Sequence, residues 1–150
     1  MASNVTIKGL DKLQKKLGGV NAAIVRGIKA GTLHIKGKIA KYPPSTIANS
    51  PSMPRWYERG YGSKWRTKAG IRGRKSSENL GRKWTVSYEN GGMTGRVGNN
   101  VSYGPYVQGP EQQAHAMWVI GWKTTDDVAD EEIDTVLDFI NKQVDKALEG

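Results

Sequence analysis

The residues of this chain that could take part in a reaction are few and scattered. Its two histidines are His34 and His115. His34 falls among Ile28, Ile35 and Ile39 in a helical pattern, where a packed or surface imidazole is expected rather than a base. His115 precedes Met117 and Trp118 and is expected to be structural or at an interface. The absence of cysteine excludes disulfides, thiolate zinc sites and a cysteine nucleophile. Asp126, Asp127, Asp130, Glu131 and Glu132 could hold a hard cation loosely, but a helix N-terminus favours the same residues through its dipole. Gly70–Ser76 ends in basic and hydroxyl residues, yet it lacks the G-x-x-x-x-G-K-[ST] spacing that wraps a phosphate. We therefore expect no catalytic centre, no metal and no cofactor.

Residues suited to contact are more concentrated. Trp56, Tyr57, Tyr61 and Trp65 are interleaved with Arg55, Arg59, Lys64 and Arg66. Trp, Tyr and Arg dominate protein–protein hot spots. The same mixture can stack on bases and meet phosphates, and Arg66, Arg72, Arg74 and Lys75 are the candidate contacts to DNA or to an acidic partner. A solvated mobile loop is the third reading of this stretch. Further on, Val97, Val101 and Tyr103 share one face at a period of two, and Pro105 stiffens the exit. Tyr103 and Tyr106 can each bury a ring while keeping the hydroxyl wet, and Val107 follows them. Tyr103, Tyr106 and Val107 join Trp56, Tyr57, Tyr61 and Trp65 as expected interface residues.

The elements that must position these residues follow from periodicity. Leu10, Leu13 and Leu17 open a helical stripe, Gly18-Gly19 interrupts it, and Asn21 is a plausible cap for a second helix. Val20, Ile24, Ile28, Ile35 and Ile39 carry the stripe to Tyr42-Pro43-Pro44. Gly27, Gly31 and Gly37 within it either weaken the helix or let another backbone come close. Residues 43–80 read as a long irregular basic insertion with one helical turn near Pro54–Arg59. Trp84, Val86 and Tyr88 alternate as a strand, Asn90-Gly91-Gly92 signals a hairpin, and Thr94–Asn99 returns. Asn99-Asn100 then turns or bulges before Val101–Val107. Ala116–Trp122 is either a final strand or a loop on the core. Ile133, Val136, Leu137, Ile140, Val144 and Leu148 form the apolar face of a C-terminal helix. The expectation is an α+β fold: a long N-terminal helix, a small antiparallel sheet of three to four strands, a C-terminal amphipathic helix and a long basic loop. The 150 residues suit one domain, with 43–80 as an arm.

Charge is divided along the chain, whose formal net charge is +9. Up to residue 42 every charged residue but Asp11 is basic. Ten basic residues lie between Arg55 and Lys83 against Glu58 and Glu78. From Asp126 onward nine acidic residues face only Lys142 and Lys146. Opposite ends of this kind attract copies of the chain head to tail, and the basic part can approach nucleic acid. No apolar run is long enough to span a bilayer, and Met1–Lys8 has no hydrophobic signal core. A soluble chain folded in a reducing cytoplasm, with no membrane partner, is expected.

The order of motifs resembles a known family. Ile7-Lys8-Gly9-Leu10-Asp11-Lys12-Leu13 leads into the helix that ends at Pro43. Gly95–Val101 runs into Tyr103-Gly104-Pro105-Tyr106-Val107-Gln108-Gly109, and an amphipathic helix follows. Across residues 4–43 and 80–149 this is similar to the head–tail joining and tail-completion proteins of tailed bacteriophages. Pro44-Ser45-Thr46 stands where many members carry a proline–x–aspartate–threonine–glycine–x–leucine motif, and Gln108 stands where glutamate is usual. The resemblance implies a non-enzymatic virion subunit of the neck or tail, assembled in the host cytoplasm. It implies self-assembly as a ring, contact with other neck and tail proteins, and DNA in the lumen.

Overall fold

The computed structural model describes residues 10–149, with side chains from Lys12 onward. The Ile7-Lys8-Gly9 start, and the side chains of Leu10 and Asp11, lie outside the described residues. Helix α1 spans Leu10–Ile39, 30 residues or about 45 Å. It runs straight through Gly18-Gly19 and Asn21, where the sequence suggested a break and a new cap. Each internal glycine costs up to about 1 kcal/mol relative to Ala. Burying the apolar face that follows outweighs two such penalties.

Helix α5, Thr125–Glu149, packs against α1. Arg26 meets Gln143, Gly27 meets Ile140, Gly31 meets Val136 and His34 meets Glu132, so the helices are antiparallel. The contact is unusually close at two glycines. A Cβ added at residue 27 would lie 2.5 Å from the Ile140 Cα, and one at residue 31 would lie 2.6 Å from the Val136 Cγ1. These glycines let a second backbone approach, while Gly37 has nothing near it. Val136, Ile140 and Val144 are half-buried. Ile133, Leu137 and Leu148, expected on the same buried face, are about half exposed.

Strands β4 (Trp84–Glu89) and β5 (Thr94–Asn99) form the expected hairpin, with Val86 opposite Val97. Asn90, Gly91 and Gly92 turn it with positive φ at all three positions. The hairpin lies on α1, where Gly95 sits against Ile28 and Thr32. Trp84, Ile39 and Val128 close a small core there, joined by Ile35 and Val97.

Residues 43–80 hold most of the structure that the sequence reading did not anticipate. In place of an irregular loop with a helical turn at Pro54–Arg59 there is a three-stranded antiparallel sheet. It consists of β1 (Arg55–Glu58), β2 (Gly62–Thr67) and β3 (Gly70–Gly73), in that order. The glycines that made this stretch look unstructured sit mainly at its turns. Gly60, Gly62 and Gly70 have φ of +82°, +90° and +118°, values that L side chains resist. The strands are therefore divided between two small sheets, and the fold is α+β. Short helices α2 (Asn79–Arg82), α3 (Gly104–Gln108) and α4 (His115–Val119) link these parts. Val101–Val107 is thus a turn and a helix instead of a strand, because Pro105 occupies the first turn of α3, where a missing N–H is harmless. Ala116–Trp122 is a helical turn closed by the Trp122 N–H donating to the Met117 carbonyl, in place of a strand or a loop. No described helix is long and apolar enough to cross a membrane.

Candidate functional site: an aromatic cleft with a basic rim

Three rings from distant parts of the sequence meet behind the arm. Tyr42 stacks on Tyr57 with centroids 5.5 Å apart, and Trp122 meets both edge-on at 5.0 and 5.3 Å. Offset and edge-to-face pairs of this kind add about 0.5–1.5 kcal/mol each beyond their burial. Leu80 and Ile120 complete the cluster. The arm is tied to it by polar contacts as well. Buried Asn49 accepts the Tyr57 N–H at 2.5 Å and donates to the Pro44 carbonyl at 3.0 Å. The Tyr42 hydroxyl donates to the Glu78 carbonyl at 2.7 Å and accepts from the Gly81 N–H at 3.1 Å. Glu78 accepts the Gly60 N–H at 2.6 Å, which fixes the β1–β2 turn.

An open cleft of about 520 Å³ lies over this cluster. Tyr57 and Trp122 wall it, Tyr103, Tyr106, Val107 and Met117 line one side, and Arg74, Lys75, Ser76 and Ser77 line the other. The Tyr103 hydroxyl lies 3.2 Å from the Ser77 Oγ across the cleft. Arg74 is positioned by its own N–H, which donates to the Ser63 carbonyl at 2.9 Å. A second hollow of about 360 Å³ adjoins it, shares Ser63, Arg74, Ala114 and Met117, and adds Trp65 and Arg55.

Burial pushes the Tyr57 phenol up to about 12, and burial likewise raises Tyr42. Both rings therefore stay neutral near neutral pH, and the charge of the cleft comes from Arg74 and Lys75. The arrangement can hold an apolar or aromatic group against rings with an anion at the rim.

Six of the residues chosen from sequence converge here: Tyr57, Tyr103, Tyr106, Val107, Arg74 and Lys75. Tyr57 is 8% exposed and Trp56 4%, so most of their area is already covered by the chain itself. The Arg66 guanidinium lies 5.6 Å over the Trp56 ring and donates to the Pro51 carbonyl. Arg72 stands apart from the cleft. The strand register places it opposite Trp65, with Arg55 opposite Trp65 on the other side, so the three form a row across the sheet. Tyr61 projects from the β1–β2 turn beside Lys64. Tyr42, Trp122 and Met117 were not picked out in advance. A tryptophan four residues after Trp118 was the one available signal.

Two glutamines clasp the wall. Gln108, buried, donates from Nε2 to the Ile39 and Lys123 carbonyls, both at 3.1 Å. Gln113 does the same for the Val107 and Trp122 carbonyls at 2.8 Å. An amide can donate twice where a carboxylate cannot, which accounts for glutamine at position 108.

Away from the cleft, the His34 Nε2 lies 2.5 Å from Glu132 and Lys38 lies 3.4 Å from it. The hydrogen bond from His34 and the charge of Lys38 hold the Glu132 carboxyl below its usual range. His34 also packs edge-on against Phe139, so this pair ties α1 to α5. His115 stacks on the exposed ring of Trp118. Among the described residues no group of three or more His, Asp or Glu is placed to hold a metal ion. Compared with family models, curated proteins and solved structures, the chain matches none.

Proposed function

We propose that this chain is a structural subunit that works by docking, of the kind tailed phages use to complete the tail and join it to the head. One observation carries the reading: the tyrosine corner and the basic arm, far apart in sequence, build one open aromatic cleft with a cationic rim. Exposed tyrosines beside cations that have no carboxylate partner among the described residues are the composition of an assembly surface. The order of motifs described above supports the phage assignment, and the acidic C-terminal helix supplies a surface of opposite sign. On this reading copies of the chain, together with other neck and tail proteins, are its partners, and the virion is its destination.

The test is to express a tagged copy alongside the genome that encodes it and to separate particles on a density gradient. The tag is expected in the particle fraction, at the neck or tail by labelled electron microscopy. A tag that stays with free protein while infectious particles form without the gene would overturn the proposal.

A second reading rests on the row Arg55–Trp65–Arg72, a ring between two cations on one sheet face. Such a row suits single-stranded nucleic acid or the DNA of a ring lumen. Replacing Arg72, Arg74 and Lys75 by Gln is then expected to reduce the salt slope of DNA binding by about 3. An unchanged slope removes this reading.

A further inference from the structure

The outer face of α5 carries a pattern that the fold leaves unused. Asp130, Ile133, Asp134 and Leu137 stand at i, i+3, i+4 and i+7, so they share one stripe. Ile133 is 51% exposed and Leu137 48%, although both read as core from the sequence. Asp130 and Asp134 have no cationic partner among the described residues, whereas Glu131 and Glu132 on the neighbouring faces pair with Lys123, Lys38 and His34. An apolar pair four residues apart, flanked by free carboxylates, is how a helix presents itself to a groove.

The cleft offers the complementary set. Its walls are aromatic, Tyr106 at its mouth is 58% exposed, and Arg74 and Lys75 at its rim have no carboxylate partner among the described residues. We propose that the α5 stripe of one copy docks in the tyrosine cleft of the next, with Ile133 and Leu137 against Tyr103 and Tyr106. Asp130 and Asp134 then face Arg74 and Lys75. The occupant is a second copy because this one chain carries both halves, matched in charge and in apolar content. The two patches are different surfaces, so the contact is heterologous and leaves a free cleft and a free stripe at the ends of every pair. It propagates to a closed ring or an open chain. This inference rests on the docking reading above and names the surface that carries it.

The absence of cysteine makes the test direct. Leu137→Cys and Tyr106→Cys proteins are prepared separately, then oxidised alone and mixed. The mixture is expected to give a disulfide-linked pair and neither protein alone to do so. Pairing of Leu137→Cys with itself would show two α5 helices face to face and overturn the proposal, as would no crosslink in the mixture.

Sedimentation of the unmodified chain supplies an independent measurement. Arg74→Glu/Lys75→Glu, and separately Asp130→Lys/Asp134→Lys, are each expected to weaken self-association about tenfold or more. The mixture of the two variants is expected to recover it, because reversed charges again face opposite ones. Both pairs are exposed, so folding is retained and can be checked by circular dichroism. A chain that stays monomeric at all concentrations rejects a second copy as occupant. The particle-fraction experiment still judges the docking role separately.

Discussion

Between α1 and α5 the contact depends on side chains that are missing; in the arm it depends on the largest ones the chain has. Gly27 and Gly31 bring two helix backbones together, with Ile140 and Val136 seated directly against them. The arm has little aliphatic surface to bury and is fixed instead by Tyr42, Tyr57 and Trp122, with Asn49 and Glu78 satisfying its turns. A long amphipathic helix can bury a stripe along its whole length. A short, arginine-rich sheet has one face and few apolar residues, so a few rings must carry it. The difference implies that the helix pair fails by overfilling and the arm by truncation.

Trp122→Ala is the largest expected break. It removes the ring that both tyrosines contact and should cost about 3–5 kcal/mol in denaturant unfolding. Amide exchange is expected to rise first in β1–β3, while α1 and α5 stay protected. Equal loss of protection everywhere would show that the two regions are one cooperative unit. Gln108→Glu follows at about 3 kcal/mol, since a buried carboxylate would face two carbonyls it cannot donate to. Because those carbonyls belong to the end of α1 and the approach to α5, this change should loosen the helix pair more than the arm. Gly27→Ala should cost about 1–3 kcal/mol through overpacking. Gly18→Ala, in the same helix but with nothing within 4 Å, should gain up to about 1 kcal/mol.

The pH responses separate the regions more gently and in opposite directions. Tyr57 has a raised folded value, so its contribution is complete below 10 and is lost as pH climbs toward about 12. The phenolate absorbance of Tyr57 is expected to appear late, together with loosening of the arm. Glu132 has a lowered folded value, so its contribution is complete above the ordinary 4.5 and is lost as pH falls through the depressed value. His34→Gln should reduce that acid sensitivity, as read from unfolding midpoints at pH 3 and 6.

The same contrast explains what could be read from the sequence. Period and turn chemistry act locally, so the helical character of α5, the β4–β5 hairpin and the end of α1 at Tyr42-Pro43-Pro44 were legible. The register of α1 on α5 was not, because Ile133 and Leu137 satisfy the helical period as well as Val136 and Ile140 do. Only the partner helix decides which of them is covered. In the arm, β1 buries its two central rings side by side and β2 carries one apolar residue among polar ones, so neither strand shows the period of two that marks a strand in a sequence. The tyrosine corner reads as a strand in the sequence, yet it folds as a turn and helix α3 because Pro105 fits a first helical turn. Its partners in the cleft, Tyr42 and Trp122, lie well before and well after it in the sequence, and no local spacing joins them.

The glycine seam also constrains how descendants of this sequence can change. A methyl group at position 31 is harmful while Val136 keeps its present size and becomes tolerable once Val136 is trimmed, whereas one at position 27 meets the Ile140 backbone and stays harmful whatever side chain stands at 140. Position 27 is therefore closed to any larger residue, and at position 31 substitutions must accumulate in a fixed order, first a loss of bulk at Val136 and then a gain at Gly31. Lineages that took the steps in reverse would have passed through an unstable ancestor and should be rare.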